Sequence, residues 1–181
     1  MTAETDTNRN IQTPSVQADK VYLVGFMAAG KSSLAHALGE RLKWRVEDMD
    51  GRIEAREHMT ITEIFRRRGE PYFRTVERAV LAEVLPLQHT VVATGGGTFA
   101  DANNQALINR NGASIWLDVP LTQIISRLPS DKHRPLASNR EQLERLYALR
   151  QSAYSHAHLR LDGSGATVGD LVERAADWLD G

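Results

Sequence analysis

Residues 21–32 read Val-Tyr-Leu-Val-Gly-Phe-Met-Ala-Ala-Gly-Lys-Ser, and this stretch decides the fold. Its first part, VYLVG, is a short apolar run rich in β-branched and aromatic residues, the pattern of a buried parallel strand. Gly25 to Ser32 then satisfies Gly-x-x-x-x-Gly-Lys-Ser/Thr in full. Residues 32–42 follow with Leu34, Leu38 and Leu42 four apart, on one face of a helix. A glycine-rich loop between a buried strand and a helix is the setting in which backbone N–H groups cradle phosphate. The helix adds free N–H donors and the positive end of its dipole. Gly25, Met27, Ala28, Ala29 and Gly30 are therefore expected to wrap the phosphates of a nucleotide. Lys31 supplies charge for the β- and γ-phosphates, Ser32 can ligate Mg²⁺, and Ser33 completes the first turn.

Working outward, strands and helices alternate. WRVED (44–48) reads as a second strand, and 50–67 as helical, broken near Met59-Thr60 where threonine can cap a new helix. Val76, Val80, Leu81, Val84 and Leu85 form a helical stripe that stops at Pro86. TVVAT (90–94), ASIWLDV (113–119) and HLRLD (158–162) read as the remaining strands. Helices are expected over 101–110, around Leu121–Leu128, over 140–155 and through Val168–Leu179. Five such alternations predict an α/β domain, a parallel sheet covered by helices on both faces. The segment PSDKHRPLASN (129–139) is polar and lacks periodicity. It reads as an exposed loop at about 128–139, of the kind that closes over active sites as a mobile lid.

Bulk properties narrow the function. The chain has 181 residues, so one domain over 20–181 is expected after a disordered polar leader at 1–19. The leader has no apolar core of a secretory signal, and its acidic residues argue against a transit peptide, leaving the cytoplasm as the expected location. No apolar run approaches the roughly 18 residues of a membrane span. With 22 basic against 23 acidic side chains, nothing pulls the chain generally towards nucleic acid or membrane. There are no cysteines, which removes disulfides and thiolate metal sites.

Several smaller features sit at strand ends, where open parallel sheets place their ligand crevice. Asp48 and Asp50 close the second strand. On an extended chain both would point to one side, one to hold Mg²⁺ through water and one to orient a substrate hydroxyl. A solvated turn is the competing reading. Gly95-Gly96-Gly97 follows the third strand and permits close approach of backbone to a ligand, or is simply a flexible turn. Arg74 and Glu77 share a helical face; a surface salt bridge explains such a pair as readily as a positioned anion-binding arginine. Arg127, Arg134 and Arg150 are each weak signals alone.

Taken together, the motifs resemble the shikimate kinase family. They are GFMAAGKSS, Asp48-Met49-Asp50, Phe73-Arg74-Thr75-Val76-Glu77, Gly95-Gly96-Gly97, Arg134-Pro135-Leu136, and Arg150 followed by Tyr154, in the family's order over about residues 21–180. The resemblance implies the three-layer P-loop kinase fold of the nucleoside monophosphate kinase group, with strand order 2-3-1-4-5. It implies transfer of the γ-phosphoryl of MgATP to the 3-hydroxyl of shikimate; a monomer is expected, though the sequence does not fix the oligomeric state. Arg74 and Arg150 correspond to a carboxylate clamp, a task suited to the arginine fork. Asp50 corresponds to the residue that holds the reacting hydroxyl, with Gly96 and Gly97 beside it. Asp48 supports the metal, Arg134 closes over the phosphates, and Arg127 lies near the adenine. Two positions depart from the pattern. Ala28 stands where glycine is usual, tolerable if its φ stays negative, and Ser33 replaces threonine. Another small-molecule P-loop kinase, acting on gluconate or a nucleoside monophosphate, is the nearest rival. A non-catalytic nucleotide-binding regulatory module is the rival of a different class.

Overall fold

The computed structural model describes residues 18–128 and 140–181. Its centre is β1 (Lys20–Val24), every residue of which is buried. On one side of it lies β3 (Thr90–Ala93) and then β2 (Arg45–Asp48); on the other lie β4 (Ala113–Asp118) and β5 (Leu159–Asp162). All pairings are parallel, and the order is β2-β3-β1-β4-β5, as expected. β1 and β3 are buried without alternation along their length, so both faces of the central sheet are covered.

The helices follow from their apolar faces. In α1 (Lys31–Leu42) Leu34, Ala35 and Leu38 are buried against the sheet, and α1 also packs on the terminal α8 (Val168–Asp180). The expected break near Thr60 separates α2 (Met49–Glu57) from α3 (Ile61–Arg68). Thr60 caps α3: its Oγ1 accepts from the Glu63 N–H at 3.2 Å, and the Glu63 carboxylate accepts from the Thr60 N–H at 2.9 Å. Gly69 then turns the chain at φ 84° into α4 (Glu70–Val84), with Phe73, Val76, Val80 and Leu81 inward. A 3₁₀ turn at Thr98–Ala100, α5 (Ala102–Asn111), α6 (Leu121–Arg127) and α7 (Arg140–Tyr154) complete the described elements.

One expectation fails here. β2 ends at Asp48, and Asp50 lies in the first turn of α2 rather than on extended chain. Asp48 has become the helix N-cap, accepting from the Gly51 N–H at 3.2 Å, because a carboxylate before a helix satisfies an otherwise unpaired donor. Asp19, inside the expected leader, already accepts a 3.3 Å bond from the Thr90 N–H. Residues 129–139, and with them Arg134-Pro135-Leu136, lie outside the described residues, as do residues 1–17. Among the described residues, no helix is long and apolar enough to cross a membrane.

Candidate active site

The loop from Gly25 to Gly30 joins the carboxyl end of β1 to α1. Gly25 has a φ of 146°, and a Cβ there would sit 2.7 Å from the Leu117 carbonyl oxygen. Only glycine lets the loop leave the sheet beside β4. Lys31 is buried, and its ammonium donates to the carbonyls of Gly25 and Phe26, both at 2.7 Å. These bonds hold the charge at the mouth of the loop. Gly30 precedes α1 with no side-chain cap, which leaves the first-turn N–H groups directed at the same space.

Ala28 departs from the sequence expectation. Its φ is +57°, not negative, so the side chain carries left-handed backbone where glycine is free of strain.

The Ser32 hydroxyl donates to Asp48 Oδ2 at 2.6 Å, while Asp48 Oδ1 takes the Gly51 N–H. A hydroxyl and a carboxylate, both oxygen donors, thus meet beside the loop. This pair suits Mg²⁺, which takes few protein oxygens and fills its octahedron with phosphate and water. Among the described residues no cluster of three metal-binding side chains exists to hold an ion by protein alone.

Opposite the loop, four elements converge. Arg74, on α4, donates from Nη1 to Glu77 at 3.0 Å and from Nη2 to Glu70 at 3.3 Å. Burial works against the Arg74 charge, but Glu77 and Glu70 more than offset it and hold the guanidinium above its ordinary pKa. Glu77 is 1% exposed, and its other oxygen accepts from the Thr98 hydroxyl at 2.9 Å. The Arg74–Glu77 pair is therefore anchored from below rather than a solvated surface bridge.

Arg150, on α7, is only 7% exposed and makes no ion pair among the described residues. Its guanidinium lies 5.8 Å from the centroid of the Phe26 ring and next to the Tyr154 hydroxyl. That hydroxyl donates to the Gly96 carbonyl, and burial, partly offset by Arg150, pushes its pKa up to about 12.

The triple-glycine turn is where these groups meet. A Cβ on Gly97 would lie 2.7 and 2.8 Å from the terminal nitrogens of Arg74 and 3.0 Å from Arg150 Nη2. A Cβ on Gly95 would lie 3.0 Å from an Asp50 carboxylate oxygen and 3.2 Å from Glu77. Two guanidinium groups thus flank one end of the turn and the Asp50 carboxylate the other. Such spacing fits an acceptor with an anionic head and a hydroxyl tail.

One cavity of about 620 Å³ contains this constellation together with Lys31 and Ser32 of the phosphate loop. Phe73, Phe65 and Ile61 form its apolar wall, with the two phenyl rings 4.7 Å apart. A second space of about 340 Å³ lies across the loop, bordered by Ala29, Ser33, Leu117, Arg127 and Val168. There Arg127 donates to the carbonyls of Ala29 at 3.0 Å and Ala28 at 3.4 Å, so its guanidinium rests against the loop's outer side.

The structure therefore unites Lys31, Ser32, Asp48, Asp50, Arg74, Gly96, Gly97 and Arg150 around one space, and leaves Arg127 beside the adjoining one. Sequence reading missed Thr98, which carries no signal beyond following the glycines. It also passed over Ile61 and Phe65, whose i,i+4 spacing on a short helix was the available sign.

Comparison with known proteins gives a consistent picture. The shikimate kinase family model matches residues 27–180. Shikimate kinase of Sulfurihydrogenibium sp. (strain YO3AOP1) is 39% identical over 154 residues, spanning 84% of this chain and 93% of that protein. Its counterpart from Geobacter sulfurreducens is 38% identical over 176 residues, 94% of this chain and 97% of that one. The solved structure of shikimate kinase from Acinetobacter baumannii in complex with shikimate superposes with a TM-score of 0.84 at 32% identity, covering 91% of this chain and 96% of that chain.

Proposed function

The chain belongs to the shikimate kinase family, and from that premise we propose that it transfers the γ-phosphoryl group of ATP to the 3-hydroxyl of shikimate. The products are ADP and shikimate 3-phosphate, on the route to chorismate and the aromatic amino acids. What carries the reading is Arg150. A buried guanidinium with no ion pair among the described residues, beside Arg74 and in one cavity with the phosphate loop, fits an anionic acceptor. Two arginine forks suit a planar carboxylate, and the Asp50 carboxylate suits the ring hydroxyls at the other end.

Each residue then has a task. The backbone of Gly25, Met27, Ala28, Ala29 and Gly30, with the first turn of α1 through Ser33, holds the nucleotide phosphates. Lys31 meets the charge of the β- and γ-phosphates. Asp50 orients the attacking hydroxyl and accepts its proton, while Arg74 and Arg150 fix the acid, and Gly96 and Gly97 allow its close approach. Positioning the two oxygens in line and stabilising the transferred charge supply most of the rate. Arg127 borders the space suited to the adenine. Arg134 lies outside the described residues and is assigned to the γ-phosphoryl by its motif alone.

Mg²⁺ is the metal we assign, held by Ser32 and, through water, by Asp48. When bound it offsets phosphate charge. We take the enzyme to act as a cytoplasmic monomer whose catalytic unit is residues 20–181 with Asp19 joined to β3, the leader ending before Asp19.

The test is ADP release from MgATP with shikimate, quinate, gluconate or nucleoside monophosphates as acceptor. Turnover confined to shikimate is the expected result. Robust turnover with another acceptor, and none with shikimate, would keep the kinase and discard the substrate.

A further inference from the structure

Phe26 occupies the second position of the phosphate loop, yet its side chain is 2% exposed and does not line the cavity that holds Lys31 and Ser32. Within the core, two contacts of the ring stand out. One is Tyr147 of α7, met edge-on with centroids 5.2 Å apart and planes at 75°. The other is the Arg150 guanidinium, 5.8 Å from the ring centroid. Tyr147 is itself fixed, its hydroxyl donating to the Val119 carbonyl at 2.9 Å. A continuous contact thus runs from Val119, after β4, through Tyr147 and Phe26 to Arg150.

The chemistry of Arg150 makes that contact matter. Its charge is buried and lacks an ion-pair partner among the described residues, so the Tyr154 hydroxyl and the faces around it decide where the fork points. An aromatic face attracts a guanidinium, and more strongly when water is excluded. An aliphatic side chain would fill the same volume without that attraction. On the far side, Gly97 leaves room for the guanidinium, since a Cβ there would lie 3.0 Å from Arg150 Nη2, while a Cβ at Gly96 would lie 3.2 Å from the Met27 nitrogen. The arginine is therefore seated between the phosphate loop and the triple-glycine turn.

We propose that Phe26 is a positioning residue for the acceptor, its ring orienting Arg150 towards the substrate carboxylate. The inference rests on the shikimate reading above and extends it by giving a nucleotide-loop side chain a role in binding the other substrate. The main chain at this position serves Lys31 through the Phe26 carbonyl, a contact that does not use the side chain.

Steady-state kinetics on the full chain tests this. Wild type is assayed first; no turnover with shikimate would overturn the substrate reading and this inference together. With wild type active, Phe26→Leu should raise the shikimate KM about five- to twenty-fold, the range of a buried cation–π contact, while ATP KM and kcat change less than about three-fold. Phe26→Tyr, which keeps the ring, should restore the shikimate KM to near wild type. In an Arg150→Lys background, Phe26→Leu should have little further effect, since contacting residues are non-additive. If Phe26→Leu is insoluble, Phe26→Met removes the ring in the same way. A shikimate KM unchanged on loss of the ring overturns the inference and spares the substrate reading. So does an equal rise in both KM values, which marks general loop damage, or full additivity with Arg150→Lys.

Discussion

The two sides of the active cavity are built on different plans. The proposed nucleotide side is continuous in sequence: Gly25 to Ser33 follow one another, and backbone amides and one buried lysine are the groups it offers. The acceptor side is assembled from α2, α4, the turn after β3 and α7, each giving one or two side chains. Phosphate is recognised by donors that every residue carries, so a loop suffices. A particular hydroxy acid needs charges of both signs at set distances, which no single segment can supply. The loop is therefore common to many kinases, whereas the substrate is chosen by residues far apart in the chain.

The sharpest way to test this division is Asp50→Asn. Asp50 lies at the Gly95 end of the turn, on the acceptor side, yet its proposed task is in the transfer step itself. Removing its basicity while keeping its shape should lower kcat about 10²- to 10⁴-fold, with ATP affinity, measured by titration, within about two-fold of wild type. Unchanged turnover would sink the role of Asp50. Lost nucleotide binding would break the division between the two sides.

Gly97→Ala comes next. The φ of Gly97 is −105°, which alanine accepts, so backbone strain is not at issue. The new methyl instead falls within 2.8 Å of both terminal nitrogens of Arg74. The arginine ends will shift slightly while Arg74 keeps its pair with Glu77, sparing the fold but misaligning the clamp. The shikimate KM should rise about ten- to a hundred-fold, the cost of one to two charge-assisted hydrogen bonds. Tm and ATP KM should stay near wild type. A fallen Tm with unchanged shikimate KM would mean that the turn supports structure alone.

Legibility in the sequence follows the same division. The strands and the loop were readable because each rests on local pattern: buried β-branched runs, a full glycine–lysine motif, and leucines four apart; the strand order came only with the family resemblance. On the acceptor side, Arg74 and Glu77 were visible as neighbours, but not the Thr98 hydroxyl that fixes Glu77 from another segment. Arg150 was one arginine on a polar helix until folding buried it against Phe26. Only the ordered set of motifs, read as a family resemblance, joined these residues. Asp50 was located at the right strand end and within the helix expected from residue 50, but its placement on extended chain beside Asp48 fails, because the Asp48 cap starts α2 at Met49.

Ala28 is the case where the more legible side was misread, and it gives the smallest predicted effect. Motif spacing constrains residue types, not dihedral angles, and the condition set for alanine here, a negative φ, is not met: φ is +57°. Left-handed backbone costs an alanine about 1–2 kcal/mol, while glycine gives back about 0.4–1 kcal/mol through a looser unfolded chain. Ala28→Gly should therefore stabilise the protein by about 0.5–1 kcal/mol, near 2 °C in Tm for a chain of this size. Thermal melts without nucleotide would detect it, and a lower Tm would mean that the Ala28 methyl contributes packing that outweighs its strain. Because the change lies on the loop, the shikimate KM should not move. Were it to move more than the ATP KM, the loop would govern the acceptor through more than Phe26, and the two sides would be less separate than their construction suggests.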